Sequence, residues 1–136
     1  MTTSPSQPTY LMTVTYQLLG AALLILVALP TQAAGDIDAG LALYQARCAA
    51  CHSMDYNGVG PAHRGVFGRQ AAQAPGFAYS DALKATHLIW DEASLDQWLA
   101  DPEKLVPGQR MWVNVPEAAA RRDLIAYLKR AAAEKK

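Results

Sequence analysis

The 136-residue sequence predicts an all-α domain of three main helices joined by long loops. Three observations predict this class. Apolar side chains recur at helical spacing in three segments, a capping or helix-starting residue precedes each segment, and no stretch alternates convincingly with period two. The length leaves room for one domain. Hydrophobic residues make up 51% and charged residues 18% of the chain, a balance that excludes intrinsic disorder.

The first main helix is predicted over residues 36–47, because Asp36 can cap its N-terminus. Its inward face is expected to consist of Ile37, Leu41, Tyr44 and Cys48, which follow helical spacing. The sequence also allows a shorter helix around residues 80–84.

The second main helix is predicted to begin after Asp91 and to end before Pro102, because a residue that precedes proline disfavours helical geometry. Its inward side chains are expected to be Leu95, Trp98 and Leu99. The third and longest helix follows Pro116, a favourable residue for a first turn. Its apolar stripe is predicted to contain Ala120, Leu124, Tyr127, Leu128 and Ala131, with Arg121, Arg122, Lys129 and Arg130 on the solvent side.

The first 35 residues contain no charged side chain. Residues 18–29 are apolar or small, a run too short for a bilayer core that needs about 20 apolar residues but typical of a signal peptide. Small residues follow, so cleavage is predicted after Ala33 or Ala34. The sequence thus divides into a signal peptide at 1–34 and a domain at 35–136. An uncleaved membrane anchor, counted back to Leu11, is the alternative.

Charge balance excludes one class of partner. Lys and Arg number 12 together, as do Asp and Glu, so the formal net charge is zero. Nucleic-acid binding needs a basic face that neutralises phosphates, so no nucleic-acid partner is expected. Two cysteines are also too few for a disulfide scaffold.

Residues Cys48–His52 have the sequence CAACH, the attachment motif of a c-type haem. Two thiols three positions apart can add to the two vinyl groups of one porphyrin and form thioethers. His52 is then held under the iron as its proximal ligand.

Two other interpretations of the cysteine pair are disfavoured. A redox-active dithiol belongs to a βαβ pattern, which this chain lacks. A zinc site needs further ligands at close spacing, and the remaining histidines, His63 and His87, are isolated from each other. A large buried cofactor would also anchor the long loops at 55–79 and 101–116 and enlarge a thin core.

The chain resembles a class I cytochrome c, of the mitochondrial and bacterial type, from Gly35 to about Ala132. The matching segments are Gly58–Pro61, Gly65–Arg69, Ala74–Ser80, Trp90–Glu92, Val106–Met111 and Asp123–Leu128. The resemblance implies three main helices and long loops wrapped around one covalently attached haem c. It also implies an electron-transfer protein rather than an enzyme.

The resemblance implies further site residues. Met111 occupies the family's position for the second axial ligand of the iron, whereas Met54 lies too close to His52 and is expected to pack. Pro61 corresponds to the proline whose carbonyl accepts the imidazole N–H. The remaining residues of the expected haem environment are Arg69, Tyr79 and Trp90, which match propionate-binding positions, and Trp98. Gly40 and Tyr127 match the close crossing of the first and last helices.

Four positions depart from the family pattern. Trp98 stands where many relatives have a tyrosine, Gln109 replaces a threonine, and Val113 replaces a common aromatic residue. His63 falls where a leucine usually packs on the haem. A packed or partly exposed imidazole is expected there, and a second haem ligand is the alternative. His87 is expected on the surface.

The predicted function is electron transfer in a bacterial periplasm. The protein would act as a monomer and exchange one electron with redox proteins by transient contact. Arg64, Lys104 and Arg110 are candidates for a sparse cationic collar that steers such partners. The alternatives are a haem enzyme or sensor with a labile methionine ligand, or a membrane-tethered subunit of an oxidase or dehydrogenase.

Overall fold

The computed structural model describes Met1 and residues 34–134. The chain divides after Gln32, and residues 34–134 lie in the second of its two units. This unit contains five helices: α1 (Ile37–Arg47), α2 (Asp81–Lys84), α3 (Glu92–Ala100), α4 (Pro102–Leu105) and α5 (Ala118–Ala133). Within residues 34–134 the one β-type pairing is an isolated antiparallel bridge between Gln70 and Ile89. The predicted all-α fold is therefore confirmed.

The predicted signal peptide falls almost wholly outside the described residues. No helix in the part of the chain that the structure describes has the length and apolar character needed to cross a membrane.

Helix α1 begins as predicted, and its predicted inward face is confirmed at Tyr44 but not at Ile37. The Asp36 carboxylate accepts hydrogen bonds from the backbone N–H groups of Asp38 and Ala39, at 2.9 and 3.1 Å. The predicted inward face was wrong at Ile37, which is exposed, while Gly40 and Tyr44 are the buried positions. The reason is the partner helix: α5 crosses α1 at Gly40, and the Tyr44 ring packs 5.2 Å from the Tyr127 ring.

The crossing of α1 and α5 leaves no room for a side chain at Gly40. A Cβ atom there would collide with the carbonyl oxygen of Asp123 and lie 2.9 Å from the Tyr127 Cβ. The sequence-based expectation that Gly40 and Tyr127 meet at this crossing is thus confirmed by the geometry.

Replacing Gly40 with alanine is expected to destabilise the protein by about 1–3 kcal/mol, the usual cost of overpacking. Helix propensity alone predicts the opposite sign, a gain of about 1 kcal/mol, so the sign of the change separates the two effects. Denaturant unfolding of the haem-loaded protein measures it. Ala42→Gly, at an exposed position of α1, is the control and should cost about 1 kcal/mol. A stabilised Gly40→Ala protein would contradict the close crossing.

Helix α3 begins with a reciprocal cap. The Asp91 carboxylate accepts from the Ser94 N–H at 2.8 Å, and the Ser94 hydroxyl accepts from the Asp91 N–H at 2.9 Å. The predicted inward residues Leu95, Trp98 and Leu99 are all buried. The loop expected directly after this helix begins instead with α4. Asp101 caps α4 and Pro102 occupies its first turn, but a single turn is too short to produce a periodic pattern.

Helix α5 buries Leu124, Ile125, Leu128 and Ala131, close to the predicted stripe. The expectation that Arg121 faces solvent was wrong, because its side chain is only 12% exposed. Its guanidinium pairs with the Asp96 carboxylate at 2.7 Å and donates to the carbonyls of Val115 and Pro116 at 3.0 and 2.7 Å. Arg121 therefore joins α5 to α3 and to the end of the preceding loop.

The long loops are held by a few backbone hydrogen bonds between distant segments. Gly68 N–H donates to the Trp90 carbonyl at 2.7 Å, and Trp90 N–H donates to the Arg69 carbonyl at 2.9 Å. The last loop closes where Val115 N–H donates to the Leu99 carbonyl at 2.7 Å. Between the segments joined by these hydrogen bonds, the loops surround a cavity.

Candidate cofactor site

A cavity of about 450 Å³ lies among the helices and loops of the described domain. This volume lies in the range of roughly 300–1,000 Å³ that is usual for ligand and cofactor sites. The structure brings every cofactor and iron residue expected from the sequence to the wall of this cavity: Cys48, Cys51, His52, Pro61, Arg69, Tyr79, Trp90, Trp98 and Met111. Much of the rest of the wall is aliphatic, including Val66, Leu83, Leu95, Leu99, Leu124 and Leu128.

The CAACH segment forms one turn that continues from the end of α1. Cys51 N–H and His52 N–H both donate to the Cys48 carbonyl, at 3.0 and 2.9 Å. Residues three and four positions apart share a helical face, so both sulfurs and the imidazole are presented to the cavity. Cys48 and Cys51 do not form a disulfide with each other, so both sulfurs are available for thioether bonds.

The His52 ring is oriented by one backbone contact. Its Nδ1 lies 2.9 Å from the Pro61 carbonyl oxygen, which can only accept, so Nδ1 carries the hydrogen and Nε2 has a free lone pair. Burial lowers the pKa of His52 and favours the neutral form that binds a metal. Gly60 makes this packing possible, since a Cβ there would collide with the imidazole.

The His63 ring packs on the His52 ring, in agreement with the expectation that it packs rather than binds the iron. The two imidazoles are stacked, with centroids 3.9 Å apart and planes 20° from parallel. Burial lowers the pKa of His63 to about 3, so the ring is neutral, and its Nδ1 has no hydrogen-bond partner. His87, in contrast, is exposed as expected.

The side chain of Arg69 shows whether the cavity fits a haem, because one of its hydrogen-bond donors is buried and unsatisfied. The guanidinium of Arg69 donates to the carbonyls of Arg64 and Ala62, both at 3.1 Å, but its buried Nε has no partner within residues 34–134. An unpaired buried donor on a charged group is costly, and a carboxylate from a bound group would satisfy it. A largely aliphatic cavity with one such cation fits an amphipathic ligand that bears carboxylates, as haem does.

The aromatic residues of the wall complete this polar end. The Tyr79 hydroxyl accepts from the Ala74 N–H at 3.1 Å, which leaves its own hydrogen available to donate. Trp90 and Trp98 are both buried and pack edge to face with centroids 5.2 Å apart. Trp90 lies beside Arg69 because the backbones of the two residues are hydrogen-bonded.

The two methionines of the described domain differ in position. Both pack against the hydrophobic core, but only Met111 also lines the cavity. Gln109 is 5% exposed, and its side chain binds the backbone of Met111 at both the N–H and the carbonyl.

Two residues at the cavity were missed by the sequence analysis. Trp112 lines the cavity and is nevertheless 89% exposed, and Arg47 lines it while donating to the Asn114 carbonyl at 3.2 Å. Their positions directly after Met111 and directly before Cys48 were the available signals.

Of the three collar candidates Arg110 lines this cavity. Arg64 is paired with Asp55 at 2.7 Å, and Lys104 lines a separate surface pocket with Gln97 and Asp101.

A helical domain whose loops surround a cavity with a CAACH turn, an oriented imidazole and a methionine defines a c-type cytochrome, a haem protein that transfers electrons. The family model described as Cytochrome c matches residues 37–132. The chain belongs to the cytochrome c family.

Known proteins of this family are similar over most of their length. The chain is 48% identical to cytochrome c2 of Rhodoblastus acidophilus over 99 residues, which is 70% of this chain and 92% of the relative. It is 40% identical to cytochrome c of Gibberella zeae over 101 residues, 71% of this chain and 95% of the relative. The solved structure of cytochrome cH from Methylobacterium extorquens superposes with a TM-score of 0.68 at 48% identity, covering 71% of this chain and 99% of that one.

Family membership establishes the cofactor and the general activity. The cofactor is one covalently bound haem c with its iron, and the protein carries electrons between redox partners rather than acting as an enzyme.

Proposed function

We propose that Cys48 and Cys51 hold the haem through thioethers and that His52 Nε2 and Met111 sulfur are the axial ligands of its iron. The observation that carries this proposal is the common cavity: the CAACH turn, an imidazole whose Nδ1 is engaged by Pro61, and the one methionine of the described domain that lines a cavity wall all meet there.

The remaining residues have distinct tasks around the cofactor. When bound, the haem supplies an iron that accepts and donates one electron. Pro61 fixes the orientation of the His52 ring, and Arg69, Tyr79 and Trp90 bind a buried propionate, so that its charge is paired. The aliphatic wall excludes water. Thioether sulfur is a soft ligand, so Met111 stabilises the ferrous state and raises the reduction potential.

A visible spectrum of the exported protein in both redox states tests this proposal most directly. It reports the haem type and methionine ligation together. A spectrum without methionine ligation would favour the haem enzyme or sensor alternative.

We also propose that residues 1–34 are a signal peptide and that residues 35–136 form the domain that functions in the periplasm. The packing of Gly35 supports this boundary. A Cβ on Gly35 would collide with the Arg122 carbonyl oxygen and lie 3.0 Å from the Ala126 Cβ, so the fold already includes this residue.

Protein exported from a bacterial host is expected to begin at Ala34 or Gly35, because the small residues before them suit cleavage. Mass spectrometry of the intact periplasmic protein measures this end. A full-length chain recovered only from membranes would contradict the proposal and favour the tethered-subunit alternative.

We propose that redox partners dock over the cavity mouth through an apolar contact centred on Trp112. Trp112 and Val59 are 89% and 81% exposed and both line the cavity. The cations that line the same cavity are Arg47, Arg69 and Arg110. A tryptophan is a frequent source of binding energy in such contacts. A partner with a mainly apolar contact face fits this surface better than a strongly acidic one.

Replacing Trp112 with alanine is expected to slow electron self-exchange between ferrous and ferric protein by about tenfold, the effect of losing about 1.4 kcal/mol of contact energy. Nuclear magnetic resonance line broadening in mixtures of the two states measures the rate. Tyr56→Ala is the control, because Tyr56 is 71% exposed and does not line the cavity. Equal rates in all three proteins, with unaltered haem spectra, would rule out docking through Trp112.

A further inference from the structure

We propose that Gln109 is a positioning residue for the iron: its side-chain amide holds the Met111 backbone at both its N–H and its carbonyl and so keeps the sulfur bound. This inference rests on the proposed ligation by Met111. Gln109 Nε2 donates to the Met111 carbonyl at 2.8 Å, and Gln109 Oε1 accepts from the Met111 N–H. Gln109 is thus a clamp on the backbone of the proposed ligand.

The clamp matters because, among the residues that the structure describes, the Met111 backbone is hydrogen-bonded only to Gln109. A methionine on a free loop segment gains conformational entropy when its sulfur leaves the iron. A clamped segment must first break two partly buried hydrogen bonds, and the buried Gln109 amide would then be left unpaired at a cost. The clamp therefore opposes replacement of the sulfur by another ligand.

The Gln109 side chain is itself anchored to α4. The Glu103 carboxylate accepts from Gln109 Nε2 at 3.4 Å through one oxygen and from the Gly108 N–H at 2.9 Å through the other. Gly108 has φ of +86°, a conformation that favours glycine, so the chain can turn tightly around the carboxylate. Glu103 thereby fixes the start of the segment and the clamp together.

A threonine, the usual residue of the family at this position, could not act in the same way. Its hydroxyl is a single group on a short side chain, whereas a primary amide offers a donor and an acceptor that match the carbonyl and the N–H of one residue. With Gln109 in place of threonine, an external ligand therefore displaces the methionine sulfur from the iron less easily.

Imidazole titration of the ferric haem-loaded protein tests the clamp, with the sulfur-to-iron absorption band as the readout. Gln109→Ala is expected to bind imidazole about tenfold more tightly than the wild type, because sulfur release no longer breaks the two hydrogen bonds. Gln109→Thr should behave similarly. Gln97→Ala is the matched control, since Gln97 is exposed on α3 and makes no side-chain hydrogen bond among the described residues.

Hydrogen exchange provides a second readout that a general loss of stability would not imitate. In Gln109→Ala the Met111 amide should exchange faster, while the Val115 amide, which is bonded to Leu99, should keep its rate. Unchanged imidazole affinity and an unchanged Met111 amide would overturn the clamp. Should Gln109→Ala fail to fold, Gln109→Leu decides, because it keeps most of the side-chain volume, adds no charge beside Glu103 and removes both hydrogen-bonding groups.

The experiment separates the clamp from the ligation on which it rests. A wild-type protein without the sulfur-to-iron band would overturn Met111 as the ligand. A wild-type protein with the band, together with a Gln109 variant that behaves like it, would overturn only the clamp.

Discussion

Replacing Cys48 and Cys51 together with alanine is expected to leave no covalent haem and to prevent stable folding. The aliphatic wall of the cavity of about 450 Å³ would then lack the group that covers it. Each large apolar side chain left uncovered costs about 1.5–3 kcal/mol, so the loss over several of them approaches the whole stability of a typical domain. Haem that stays with the polypeptide after denaturation measures attachment, and far-ultraviolet circular dichroism measures helix content.

The single variants resolve the contribution of each thiol. Cys48→Ala and Cys51→Ala should each retain one thioether at most and accumulate much less haem-loaded protein. Attachment of haem at wild-type levels in both single variants would show that the motif does not have its proposed role.

Replacing Met111 with alanine is expected to abolish the sulfur-to-iron band and to lower the reduction potential by a large part of the roughly 0.8 V range that axial ligands span. The physical reason is the loss of a soft ligand that stabilises the ferrous state. Potentiometric titration followed by absorption measures the shift. The structure offers a matched control in Met54→Ala, because Met54 packs against the core and does not line the cavity.

If Met54 rather than Met111 were the iron ligand, the effects of the two substitutions would be reversed. A band that survives in Met111→Ala and disappears in Met54→Ala would place the ligand at Met54. A band that survives in both would exclude methionine ligation by either residue.

Much of this protein could be predicted from the sequence because the deciding interactions are local. The CAACH spacing sets two thiols and an imidazole on one turn, whatever surrounds them. Asp36 and Asp91 cap their helices through residues two or three positions away. Gly40 was assigned to a helix crossing only through the family resemblance. A single glycine in a helical segment does not indicate which other helix packs against it.

The tertiary structure decided the features that join distant parts of the chain. The helical pattern predicted that Arg121 faces solvent. In the structure its guanidinium instead contacts the Asp96 carboxylate and two backbone carbonyls, which come from other parts of the chain. His63 was expected to pack, but its stacking on the ring of His52 depends on how the intervening loop turns back. The clamp of Gln109 required the φ of Gly108 and the carboxylate of Glu103. Local spacing determines which residues share a turn, whereas hydrogen bonds between turns depend on where the loops lie around the haem cavity.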